Sequence, residues 1–336
     1  MRTPRAGTSP LAAMLGRFGV GDAVGFRPVA EGLLNRGYEV ETTEGRWFLK
    51  HYLDQTPRNI AFQHRATARL RACGLPALPP VAATCGATAL FVRGRWFALF
   101  PWVEGRHRDG TELDTDECGD LGTLLGGVHA TLRQTLPPVQ QPLFAPAADA
   151  DASIAVAKRL LASIRARGIR EPFDELAEHR LVERLGMLRQ FARLRPADHD
   201  APRQGYVHGD FHPLNLLYAD RSPAAIIDWD RLAALPGTEE TVRAALLFFT
   251  ARATGTLDLG RVRAFVRAYR AVADPGRADL AAAVRRLWWE RLNDFWMLNR
   301  HYVERDHRSD PLFPTSAALL VWWTGHYREV MAAFVE

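Results

Sequence analysis

Lysine is almost missing from this chain of 336 residues. Lys and Arg together number 43, yet only Lys50 and Lys158 are lysines. Arginine carries the positive charge nearly everywhere else. A lysine placed at a strand end is therefore a candidate for a task that needs a compact ammonium rather than a planar guanidinium fork, such as holding a phosphate. Lys158 sits in "AVAKRLLASI" with no motif around it. Cysteine is scarce too. Cys73, Cys85 and Cys118 are odd in number and far apart, which excludes a disulfide framework and zinc-finger spacing and favours a reducing, cytoplasmic setting. Long apolar runs are lacking. The N-terminal "PLAAMLGRFGVG" is short and broken by Arg17, so it reads as a short helix, not as a signal peptide or a membrane span. The net charge of +5 comes from arginines spread along the chain rather than clustered in a stripe, which argues against nucleic acid as a partner.

What is present is an ordinary core composition, 47% hydrophobic and 24% charged, enough for one large domain or two medium ones. The order of patterns divides the chain. Residues 1 to 10 read as disordered, and a short helix follows over about residues 10 to 18. Residues 38–42 and 46–52 alternate as two strands around "TEG", with Gly45 free to take positive φ. Residues 58–72 read as a helix stopped by Cys73-Gly74, and "ATALFV" and "RWFALFPW" as two more strands. From about residue 103 the periodicity becomes helical: 114–133, 151–166, 174–194 and nearly everything after 238. The expectation is an α+β protein, with a small β-rich N-terminal lobe over residues 1–102 and a large helical lobe over residues 103–336.

The polar residues that interrupt apolar runs lie in "HGDFHPLNLL", residues 208–217, and "AAIIDWD", residues 224–230. A hairpin centred between Arg221 and Ser222 sets Asn215 opposite Asp228, with Cβ atoms about 5 Å apart. An amide oxygen and a carboxylate at the open end of a hairpin suit Mg²⁺. Asp210, one tight loop earlier, is placed for a catalytic base. Taken singly, Asp210 reads as a loop cap, Asn215 as a turn residue and Asp228 as an arginine partner; the joint spacing of five and thirteen residues favours a shared task. His208 and His212 have the four-residue spacing of a zinc helix, but Gly209 and Pro213 break that helix. His208 instead packs inward and bonds the loop backbone.

These segments resemble the catalytic segment of the aminoglycoside phosphotransferase and choline kinase-like family of small-molecule kinases, which share a protein-kinase-like fold. In protein kinases the matching pieces are H-R-D-x-x-x-x-N and D-F-G. The resemblance implies transfer of phosphate from ATP to a hydroxyl of a small molecule, with Asp210 accepting the hydroxyl proton, Asn215 and Asp228 holding Mg²⁺, and Lys50 binding the α/β-phosphates. Asn35, in "EGLLNRGYEV", is the phosphate-loop contact, although this stretch has Gly32 and Gly37 and no G-x-G-x-x-G. The backbone of Phe100, Trp102 and Val103, in "ALFPWVEG", is the segment expected to pair with adenine. Gln63 stands where a helix glutamate would pair with Lys50, which keeps open a kinase-like binding protein with weak or no catalysis. A protein kinase is disfavoured because "RLAALPGTEETV" is too short for an activation segment. An antibiotic is one candidate acceptor. Residues 231–336 hold 15 Arg against 12 Asp and Glu, a net +3 that does not favour a highly cationic one, although Glu290, Asp294, Glu304, Asp306 and Asp310 are close enough in sequence for a local acidic patch. Most of the tryptophans at 288, 289, 296, 322 and 323 fall at core spacing, leaving one or two to stack on a ligand ring. The assembly expected is a monomer or a homodimer.

Overall fold

A computed structural model describes residues 10–29, 35–139 and 146–336. The chain opens on helix α1 (Pro10–Gly16) and strands β1 (Ala23–Val29), β2 (Arg36–Thr42) and β3 (Gly45–Tyr52). Helix α2 (Pro57–Ala72) and strands β4 (Leu90–Val92) and β5 (Arg95–Pro101) follow. The five strands form one antiparallel sheet in the order β1-β2-β3-β5-β4. Thr42 pairs with Gly45 across a two-residue turn, and Gly45 takes φ +134, the freedom expected of it. Thr56 caps α2, its hydroxyl accepting from the Asn59 N–H at 3.2 Å, with Pro57 at the first helical position where its missing donor is harmless. The disorder expected of residues 1–9, and Gly32 of the expected phosphate loop, lie outside the described residues; Pro10 already belongs to α1.

Alternation along the strands sorts the small lobe into two faces. Val40, Leu49 and Leu99 bury one face against Met14, Leu15 and Phe18 of the N-terminal segment. The opposite face presents Phe48, Lys50, Ala98 and Phe100, in the cross-strand pairs Phe48–Phe100 and Lys50–Ala98. Part of this second face packs on Ile60 of α2.

The larger lobe is helical: α3 (Thr115–Thr135), α4 (Ala150–Arg165), α5 (Pro172–Phe191), α6 (Gly237–Phe249), α7 (Leu259–Ala273), α8 (Arg277–Asn293), α9 (Trp296–Asn299), α10 (Phe313–Gly325) and α11 (Tyr327–Val335). Asp114 and Glu117 form a capping box at the start of α3; of the apolar stripe read from its sequence, Leu121, Leu125, Val128 and Leu132 are buried and Leu124 is partly buried. Trp288, Trp289 and Trp323 are core residues, whereas Trp296 is partly exposed. Besides the hairpin expected from the sequence, a second strand pair is present. Two short antiparallel pairs are present: β6 (Gln204–Val207) with β9 (Ala233–Pro236), and β7 (Leu216–Ala219) with β8 (Ser222–Ile226). β6 and β9 have four residues each and no clear alternation, so nothing in their sequence marks them as strands.

Candidate active site

The β6–β9 pair brings the two ends of the motif region side by side, so that His208 and Arg231 leave adjacent strand ends. Gly209 fits between them with φ +84; a Cβ there would lie 2.1 Å from the Arg231 carbonyl oxygen, so only glycine is accommodated. His208 is fully buried. Its Nδ1 accepts from the Asp210 N–H at 3.2 Å and its Nε2–H donates to the Ile227 carbonyl at 2.9 Å. Both nitrogens serve the loop, burial lowers the ring's pKa, and neither nitrogen is left for zinc.

Glu240 of α6 completes this anchoring and was not singled out in the sequence. Its carboxylate accepts from the main-chain N–H groups of His208 and Gly209 and from His129 Nε2 at 2.8 Å. Burial would push its carboxyl up, but the hydrogen bond and charge of His129 with the other donors hold it below the ordinary value.

Asp210 therefore stands on a fixed loop. Its carboxylate lies 3.6 Å from His212 Nε2 and 3.8 Å from Arg231 Nε. Partial burial raises its pKa, but His212 and Arg231 outweigh that and leave it lowered, so it is ionised at neutral pH. Asn215, nearly buried, donates its amide to the Asp210 carbonyl at 2.8 Å, which leaves its side-chain oxygen as the atom it can offer to a cation.

The hairpin between Asn215 and Asp228 differs from the expected register. Its turn is centred on Asp220 and Arg221, with Ala219 opposite Ser222 and Asp220 at φ +53, and a further irregularity falls between Leu217 and Tyr218. Asn215 therefore faces Ile227, whose N–H donates to the Asn215 carbonyl at 2.9 Å. Asp228 lies one residue beyond the ladder, at φ 57 and ψ 63. Aspartate tolerates this left-handed conformation better than most residues, and the reversal turns the following residues back toward the small lobe.

Lys50 meets that reversal. Its ammonium lies 2.6 Å from Asp228 Oδ1 and 2.7 Å from Asp230 Oδ1. Burial pulls the Lys50 pKa down, but Asp230 and Asp228 more than compensate and leave it raised, so the amine is charged. The two carboxylates differ: the Asp228 side chain is 41% exposed and that of Asp230 only 6%. Asp230 was read in the sequence only as the tail of "DWD". It also accepts from the Asn35 amide, and Asn35 in turn accepts from the Leu53 N–H at 3.1 Å. Burial, opposed by Lys50 and reinforced by Asp228, leaves the Asp230 carboxyl raised.

Gln63 is near this group but does not act as expected. Its amide donates to the main-chain carbonyl of Asp230 at 3.1 Å and toward Gln55 at 3.4 Å, while the ammonium's hydrogen bonds run to the two carboxylates. The acid that compensates Lys50 thus comes from the large lobe. The segment after β5 is also corrected in part. The Trp102 N–H donates to the Arg46 carbonyl at 3.2 Å, and Phe100 pairs with Phe48 in the same parity, so the backbone of both residues faces β3. Pro101 and Val103 alternate to the other side, where Leu99 already accepts from the Val81 N–H at 2.7 Å.

Comparison with known proteins identifies the fold and family. The profile of a family described as "Phosphotransferase enzyme family" matches residues 25–282. Homoserine kinase of Gluconacetobacter diazotrophicus is 27% identical over 317 residues, covering 90% of each chain. Among solved structures, spectinomycin phosphotransferase in complex with ADP and spectinomycin aligns with a TM-score of 0.64 at 13% identity over 92% of both chains. Choline kinase from Cryptosporidium parvum aligns with a TM-score of 0.58 at 11% identity over 91% of both. With its five-stranded small lobe, its helical large lobe and a family match over most of its length, the chain belongs to the phosphotransferase enzyme family and is a small-molecule kinase with the bilobal, protein-kinase-like fold.

Proposed function

We propose that this protein transfers the terminal phosphoryl group of ATP to an alcohol hydroxyl of a small molecule, with Mg²⁺ as the metal and Asp210 as the proton acceptor. The observation that carries the reading is the meeting of Lys50 with Asp228 and Asp230 at the junction of the lobes, next to a loop in which the Asn215 side-chain amide donates to the Asp210 carbonyl. The donor set fits the ion: a half-exposed carboxylate on Asp228 and an amide oxygen on Asn215 are hard oxygen ligands. Bound ATP would supply the phosphoryl group, and Mg²⁺ would neutralise charge on its oxygens.

The chain's own residues do the rest. Asp210, ionised and on a rigid loop, takes the acceptor's proton. Lys50 binds phosphate oxygens while Asp230, buried and held by Asn35, keeps its stem oriented. Asp230 thereby takes the part of the absent helix glutamate, so Gln63 is no argument for an inactive protein. The carbonyl of Pro101 and the N–H of Val103, facing away from β3, form the edge that pairs with adenine.

Homoserine is the first acceptor to test, because a relative that matches the chain over nearly its whole length is a homoserine kinase. Antibiotics come second, since spectinomycin phosphotransferase shares the fold at lower identity. The experiment is Mg²⁺-dependent release of ADP from ATP with homoserine, choline, spectinomycin and a series of aminoglycosides. The expected result is release well above background with at least one hydroxyl acceptor. If ATP binds and no acceptor in this series or a wider panel of amino alcohols, nucleosides and sugars raises ADP release, the protein is a kinase-like binding protein instead.

A further inference from the structure

The second cluster of chemically able side chains lies in the large lobe, outside the motif region. After α9 the chain widens into a π-helical turn, Arg300–Glu304, reverses at Arg305 with φ 56, and runs into a 3-10 segment, His307–Leu312. The reversal lays His307 back over His301. The two Nδ1 atoms lie 3.1 Å apart. Both face one carboxylate oxygen, Asp310 Oδ2, at 2.8 Å from His301 and 3.0 Å from His307. Among the described residues this is the one group of three such side chains with all its ligand atoms within 4.8 Å of one another.

We propose that His301, His307 and Asp310 form a binding site for a divalent transition metal of the zinc class. Three lone-pair-bearing atoms that converge on one point need positive charge between them, either as protons or as a cation. Around a zinc ion with bonds of about 2.0–2.1 Å, tetrahedral ligand atoms are about 3.3 Å apart. The three observed separations are close to that spacing. Two imidazoles and a carboxylate match borderline-soft metals better than Mg²⁺ or Ca²⁺, which prefer all-oxygen sets.

Two further observations favour a ligand over a bare hydrogen-bond cluster. The other carboxylate oxygen, Asp310 Oδ1, is buried without a hydrogen-bond partner. A carboxylate that binds a metal through both oxygens would satisfy it. The ligands are also held in advance. The His301 ring stacks on Phe173 with centroids 4.3 Å apart, and the adjacent Tyr302 hydroxyl donates to Asp174 at 2.8 Å. Asp306, expected in an acidic patch, is instead tied to Arg300 and Arg308 and holds the reversal in shape. His301 is buried while His307 is 63% exposed, so the ion would enter from solvent and clasp the 300–312 segment against α5.

The test uses the full chain, stripped with a chelator and titrated with Zn²⁺ in excess Mg²⁺ so that hard-oxygen sites are competed. One Zn²⁺ per chain is expected, with Kd below about 1 µM, a Co²⁺ derivative with histidine-type visible absorption, and a melting point raised by about 4 °C at a hundredfold excess over Kd. His307→Ala, at an exposed position that leaves the fold intact by circular dichroism, should weaken binding about 100-fold or more, and Asp310→Asn similarly. The proposal is overturned if the wild-type chain binds no stoichiometric zinc tighter than about 10 µM. It is equally overturned if both variants bind as the wild type does, which would place the metal at His212 or the carboxylates of the motif region. Neither outcome depends on the acceptor or on phosphoryl transfer.

Discussion

Asp230→Asn keeps the shape of a buried side chain and removes its charge. In the wild type the Asp230 carboxylate serves Lys50 and Asn35 together. An asparagine there can still offer one oxygen, but its NH₂ must face either the ammonium or the Asn35 amide, both of which are donors. Breaking a buried pair by removing one partner costs about 3–5 kcal/mol. Lys50 retains Asp228 at 2.6 Å, and that carboxylate is wet enough to compensate only in part. The expected destabilisation is therefore about 2 kcal/mol, a fall in melting point of about 3 °C. Lys50 would also commit itself to Asp228, the residue proposed to hold the metal. We expect kcat/KM for ATP to fall about 30-fold, which corresponds to about 2 kcal/mol. The control is Gln63→Ala, which removes one hydrogen bond to a main-chain carbonyl and should cost about 1 kcal/mol, or about fivefold. Steady-state kinetics with ATP varied, together with thermal melts, decide between them. If Asp230→Asn stays within threefold of wild type while Gln63→Ala loses more than tenfold, the helix amide is what orients Lys50, and the role given to Asp230 is wrong.

Asp210→Asn should lower kcat by about 10²- to 10⁴-fold while calorimetric ATP affinity stays within a few-fold; a mutant that retains a tenth of the wild-type rate would remove Asp210 as the base. Asp228→Ala should make nucleotide affinity insensitive to Mg²⁺, and an unchanged magnesium dependence would contradict its assignment as a metal ligand. His64 is buried between the Tyr52 hydroxyl at 3.0 Å and Thr88 Oγ1 at 2.8 Å, and burial, aided by the Lys50 charge, lowers its pKa from 6.5 to about 4. The unfolded chain takes up that proton first, so stability should be full above pH 6.5 and decline toward pH 4, by on the order of 3 kcal/mol at most. Denaturant melts of wild type and His64→Gln across that range should differ in slope; parallel curves would show that His64 does not titrate as described.

The loop proposed as catalytic was legible because its information is local. Asp210, Asn215 and Asp228 lie within nineteen residues, and glycine and proline between them exclude a helix, so spacing alone narrowed the geometry. The hairpin register was not legible, because it depends on which two residues turn. Asp220 adopts a left-handed conformation that its sequence permits but does not demand. Asp230 was missed for a related reason: what buries it is the left-handed turn at Asp228, and the partners that reveal its role, Lys50 and Asn35, are 180 and 195 residues away. Glu240 likewise declares itself only once β6 and β9 have paired and its carboxylate lies beneath two loop amides. Strands β2, β3 and β5 and the helices α2, α3, α4 and α5 were visible because their periodicity persists over many residues. The four-residue strands offered too few positions for any period to show.

Two side-chain amines in the whole chain make an uncommon chemical handle. Lys158 is exposed on α4, whereas Lys50 is buried with a raised pKa between two carboxylates. An acylating reagent attacks only the neutral amine, so at moderate pH it should modify Lys158 quickly and Lys50 hardly at all. Any event that frees Lys50 from its carboxylates would then appear as one additional adduct on one peptide, without a radioactive nucleotide or knowledge of the acceptor. The scarcity of lysine thus turns intact-protein mass spectrometry into a direct reporter on the junction between the lobes.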